Sequence, residues 1–112
     1  MKALIRKHLE NILAVEARIK AEKLQGWDAL VLNRQLGAEF SALGGRRAVV
    51  DFLANELGLK AVHDWTGSKL VGENGMELVN FFETHFGFNF KPSHNCDESN
   101  DTFEKVSKYL TL

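Results

Sequence analysis

Apolar residues Leu4, Ile5, Leu9, Ile12, Val15 and Ile19 recur at helical spacing along the start of the chain, and Ile5, Ile12 and Ile19 stand seven apart. The spacing predicts an amphipathic helix from about Ala3 to Leu24. At 1.5 Å per residue it would run about 33 Å, close to the full width of a small domain. A helix of that length in a chain of 112 residues must be either the spine of the fold or a pairing surface. His8, Glu16 and Glu22 interrupt the seam between the isoleucines, which argues against a sustained coiled coil and for a spine.

The length suits one domain, residues 1–112, that buries about two-thirds of its unfolded surface without metal or disulfide support. Cys96 is the only cysteine, so no intrachain disulfide can form, and the chain fits a reducing cytoplasm. Charge interrupts the N-terminal apolar positions too often for a signal-peptide core, and no uncharged stretch approaches the roughly 20 residues of a membrane span. A soluble cytoplasmic protein is expected. The formal net charge of −1 removes the global electrostatic case for nucleic acid or anionic membrane. Basic residues nonetheless lean to the first half and acids gather late, at Asp97, Glu98, Asp101 and Glu104.

Gly26 is expected to end the first helix, and residues 27–43 to form a second whose inward stripe is Ala29, Leu32, Leu36, Phe40 and Leu43. Trp27, Leu30 and Val31 point away from that stripe and form a candidate partner surface. After Gly44 and Gly45 a third helix turns Val49, Val50, Leu53 and Leu57 inward, with Gly58 as its C-terminal cap. Residues 59–75 read as a short helix or turn and then a loop, with Lys69 to Val71 a candidate extended piece. Asn74 is read as the cap of a helix from about Met76 to Phe86, closed by Gly87, and Asn100 or Asp101 as the cap of a last helix carrying Phe103, Val106 and Leu110. The expected fold is all-α, a single small domain of five or six helices.

Residues 52–69, "FLANELGLKAVHDWTGSK", resemble the helix-turn-helix of small bacterial and phage repressors. Ala54 and Gly58 stand at the separation of that family's first-helix alanine and turn glycine, and "AVHDW" is placed as the start of a recognition helix. The turn is about two residues shorter than the family's. The resemblance implies a DNA-binding face made of Lys60, His63, Ser68 and Lys69, with Arg46 and Arg47 touching phosphates. His85, His94, Cys96 and Asp97 have the donor chemistry for zinc, but only "HNC" is close-spaced, so no metal or other cofactor is assigned. His63, Asp64, Thr66 and Ser68 are neighbours in sequence, which does not establish a nucleophile, its base and an orienting group. Without a catalytic or cofactor signature, a non-enzymatic binding protein is expected.

The densest apolar stretch is "NFFETHFGFNF", residues 80–90. On the expected helix Phe82 centres the buried face, with Leu78, Val79 and Phe86 within about 60° of it and Phe81 about 100° to the other side, beside His85. Phe88 would fold back over the Gly87 cap. This leaves Phe81, His85 and Phe90 for a second partner surface, against the plainer alternative that Phe81 packs beneath the first or last helix. Either surface would serve a protein regulator, an inhibitor or a homodimer; DNA binding through residues 46–69 is the alternative, and a metal or small-molecule site around His85, His94 and Cys96 is the second.

Overall fold

The computed structural model describes residues 1–84 and 87–111, with Thr84, Gly87, Phe88 and Thr111 described by their backbone. Among the described residues the order is α1 (Lys2–Glu22), α2 (Trp27–Ala42), α3 (Gly45–Leu57), β1 (Lys60–His63), β2 (Ser68–Val71), β3 (Glu77–Thr84), β4 (Gly87–Pro92) and α4 (Asp97–Thr111). The strands form one antiparallel meander in the order β1-β2-β3-β4. The fold is therefore α+β, and the expected all-helical bundle of five or six helices is overturned by this sheet.

The three N-terminal helices fall where the periodicity puts them. Lys23 at φ 52°, rather than Gly26, caps α1, and Gly26 precedes α2 at φ 57° and ψ −125°, a conformation that glycine adopts without a side-chain clash. Gly58 caps α3 in the left-handed region at φ 67°. Residues 61–65, expected to start a recognition helix, instead run along strand β1 through His63 and into the turn after it, so the helix-turn-helix is not formed. The segment from Met76, read as a helix, is β3, and Asn74 caps a turn instead: its Oδ1 accepts the Met76 N–H at 3.1 Å. α4 begins at Asp97, several residues before the expected cap.

Strand alternation divides the sheet into two faces. Ala61, Leu70, Val79 and Phe81 belong to the hydrophobic core, with Val49, Val50 and Leu53 of α3, Val106 and Leu110 of α4, Ile5 of α1 and Phe40 of α2. α3 packs on β1 and β2, and α4 on β3 and β4. Val62, Lys69, Asn80 and Lys91 sit opposite one another along the register and project the other way. A register shift between Leu70 and Val71 marks a bulge, which interrupts the simple in-out alternation near the β2–β3 turn.

α1 and α2 meet the core with only part of their length. The fully buried residues of α1 are Ile5, His8 and Ile12, and those of α2 are Leu32, Leu36 and Phe40. From Leu13 to Val31 no residue is fully buried. The far ends of the two helices thus form a hairpin arm that leaves the body, consistent with extents of 46 × 28 × 26 Å. At its base His8, which the sequence presented as a break in the seam, is buried. Its Nδ1 donates to Glu39 Oε1 at 2.6 Å, Asn11 Nδ2 donates to Glu39 Oε2 at 2.8 Å, and the imidazole stacks on Phe40. This cluster fastens α1 to α2 where the arm begins.

Candidate functional site

The two partner surfaces expected from sequence have separate fates. Phe81 is wholly buried, on the helix-covered face of β3, and stacks on Phe90 with centroids 5.6 Å apart. Phe90 is half-buried and also packs on Phe103 of α4. Phe81 and Phe90 therefore belong to the packing of the body, and His85 lies outside the described residues. The reason is the change of period: on a strand, Phe81 and Phe82 face opposite ways, so Phe82 is the one turned from the core.

Trp27, Leu30 and Val31 are exposed at 66 %, 39 % and 36 %. They lie on the first turns of α2, at the arm's far end. Trp27 and Val31, four apart on one helix face, line a groove of about 370 Å³ with Leu24, Leu32, Asp28 and Arg18. The Arg34 guanidinium lies 5.5 Å from the centre of the Trp27 ring, and Arg18 pairs with Glu22 at 2.7 Å. The groove thus has an apolar floor and a rim of both charges, the composition that protein interfaces favour.

The residues of the expected DNA-binding face are drawn into another arrangement. His63 Nε2 meets Asp51 Oδ1 of α3 at 2.7 Å, and His63 Nδ1 meets Ser68 Oγ at 2.7 Å. Arg46 Nε donates to the same Ser68 oxygen at 3.0 Å, and its Nη2 donates to the Asp64 carbonyl at 2.7 Å. One tautomer satisfies the chain: Nε2–H donates to Asp51, Nδ1 accepts the Ser68 hydroxyl, and Ser68 accepts from Arg46.

An acid, an imidazole and a hydroxyl in line have the connectivity of a hydrolytic triad. Here the hydroxyl belongs to a residue only 1 % exposed, and Arg46 lies on its oxygen. A carbonyl carbon has no approach to it. The network instead ties α3 to the β1–β2 turn. The carboxylate that meets His63 is not its sequence neighbour Asp64 but Asp51 of α3.

Asp64 shapes the turn itself. Its Oδ1 accepts the Thr66 N–H at 2.7 Å, the Thr66 hydroxyl at 2.6 Å and the Gly67 N–H at 2.9 Å. The Thr66 hydroxyl, then the Thr66 and Gly67 amides, hold its carboxyl at a pKa of about 2. Gly67 is required sterically, because a Cβ there would stand 2.8 Å from the Phe81 carbonyl oxygen. Trp65, at the tip, is 91 % exposed. Of the remaining basic residues, Arg47 and Lys60 are exposed and Lys69 pairs with Glu77 at 3.1 Å.

His94 is exposed and Cys96 is half-buried in the bend before α4. Among the described residues, no group of three or more His, Cys, Asp or Glu side chains is placed to hold a metal ion, and no helix is long and apolar enough to cross a membrane. None of the family models, curated proteins and solved structures compared with the chain matches it.

Proposed function

We propose that this chain is a non-enzymatic binding protein that acts in the cytoplasm as a regulator or inhibitor, and that the tip of the α1–α2 arm is where it takes hold of a protein partner, a second copy of itself included. The observation that carries the reading is the exposure of Trp27 beside Val31 over an apolar groove, on a stretch, Leu13–Val31, where nothing is fully buried. A two-helix arm has little apolar contact of its own, and most helical stability in proteins comes from packing an amphipathic face. Covering the groove therefore stabilises the arm as well as the complex. Tryptophan in a partly enclosed site is the residue type most often found to dominate binding energy. The mixed rim of Arg18, Glu22, Asp28 and Arg34 favours a protein over a polyanion or an anionic membrane. Enclosure of Ser68 beneath Arg46 supports a binding role over hydrolysis at the one acid–imidazole–hydroxyl chain described here.

The test is a paired capture with the intact chain and a Trp27→Ser/Val31→Ser variant, both checked for folding by circular dichroism, from lysate of the source cell. A protein held by the first and lost from the second supports the reading, as does a dimeric native mass that the variant reduces to monomer. The same proteins bound by both, or an unchanged mass with no capture by either, overturns it.

A further inference from the structure

The sheet face turned away from the helices offers a second surface with a different chemistry. Val62, Lys69, Asn80 and Lys91 make one row across all four strands. Lys60 precedes Val62 by two residues and shares its side of β1. Lys69, Asn80, Phe82 and Lys91 line a dent of about 260 Å³, to which no helix residue contributes. Lys91 Nζ lies 5.6 Å from the centre of the Phe82 ring. Asn80 Oδ1 accepts the Ser93 hydroxyl at 3.0 Å, which orients the amide and leaves its Nδ2 as the donor available to a ligand.

The β1–β2 turn borders this dent through Thr66 and Gly67. Three hydrogen bonds to Asp64 Oδ1 and one from Arg46 to the Asp64 carbonyl fix a loop whose most exposed side chain is an indole. Fixing a loop this firmly while holding a tryptophan in water has no packing benefit within the chain. It does remove the ordering cost of a later contact.

We propose that this face binds single-stranded nucleic acid, with a base stacked on Phe82 beside the Asn80 amide, a second base on Trp65, and the backbone phosphates neutralised by Lys69, Lys91 and Lys60. Two aromatic rings on a cationic sheet are what sequence-tolerant recognition of unpaired bases requires, since every base offers a π-face and every nucleotide a phosphate. The pair Lys69–Glu77 is partly exposed, and such pairs are worth little enough for a phosphate to displace the carboxylate. Duplex is not a ligand on this account, because its bases are already stacked. An acidic peptide would use the lysines and leave the two rings without a role.

The chain has two tryptophans, so in a Trp27→Phe background Trp65 is the only emitter. At low salt, a 12-nucleotide oligothymidylate is expected to quench Trp65 and to raise the anisotropy of a labelled probe. Three phosphate contacts predict that log affinity falls against log salt with a slope of about −2. Trp65→Ala, at a position too exposed to affect folding, is expected to weaken binding about tenfold, and Lys69→Gln/Lys91→Glu by at least as much with the circular dichroism spectrum retained. The proposal is overturned by no quenching and no anisotropy change at low salt, by equal binding of the lysine variant, or by quenching with a polyglutamate peptide in place of the oligonucleotide.

Discussion

Both tryptophans of this chain face solvent, Trp65 at 91 % and Trp27 at 66 %, and they are held in opposite ways. Trp65 rides on a turn fastened by the Asp64 carboxylate, by Arg46 and by the close approach of Gly67 to β3. Trp27 opens a helix on an arm whose last full anchors, Ile12 of α1 and Leu32 of α2, lie toward the body. A ring on a fixed turn suits a flat ligand that stacks without rearrangement. A ring on a thin helical arm suits a partner that completes the packing around it. The core of the body is packed on all sides and the arm's far end is not, and that difference is what the two proposed partners rest on.

The contrast can be broken most forcefully in the body. Phe81→Ala should cost about 3–5 kcal/mol, the range for truncating a fully buried aromatic, read from urea unfolding. A loss below 1 kcal/mol would mean that Phe81 is not core. Arg46→Met removes the donor to Ser68 and to the Asp64 carbonyl, and should cost roughly 1–3 kcal/mol by leaving polar groups unpaired. That variant should also broaden the Trp65 environment, which time-resolved fluorescence can follow.

Acid should act on the same turn. The Asp64 carboxyl is depressed to about 2, below the ordinary value near 3.9, so its contribution to stability is present above pH 4 and is lost as the pH falls toward 2. Trp65 emission should hold steady down to about pH 4 and change below it. Asp64→Asn should flatten that dependence, and an identical profile in both proteins would remove Asp64 as the cause. The smallest effect belongs to the arm: Trp27→Ser should shift stability by no more than about 0.5 kcal/mol, because the residue is exposed. A loss above 2 kcal/mol would show that Trp27 holds the arm together rather than waiting for a partner.

The two helices of the arm were legible in the sequence because helix amphipathicity is local, whereas their departure from the body was not: the periodicity predicts α1 as the spine of the fold, and only its first half is anchored in the core. Ile5 and Ile12 on α1, and Leu32, Leu36 and Phe40 on α2, announce the buried faces, and Trp27, Leu30 and Val31 fall outside them. The sheet was missed for a physical reason. Leu78, Val79, Phe82 and Phe86 fit a helical period, while two adjacent buried residues on β3 and the bulge after Leu70 hide the strand period of two. The signal that favours strands was present: Asn74–Gly75 between Val71 and Glu77 is a hairpin dipeptide, and the stretch that follows is rich in aromatic and β-branched residues. Asn74 has a side chain equally suited to capping a helix or closing a turn, and here it closes a turn. The Asp51–His63–Ser68–Arg46 chain could not be read at all, since α3 meets the β1–β2 turn only after the sheet has formed.

The division between body and arm is most directly measured by native-state amide hydrogen exchange on the isolated protein at monomeric mass. Amides of Ala14–Val31 are expected to exchange through local opening, at least tenfold faster than those of Leu53, Leu70 and Val79, which should open only with the whole domain. Protection of the arm equal to that of the body, in a monomer, would contradict the account, because it would mean that Trp27 and its neighbours already have the packing they are proposed to seek.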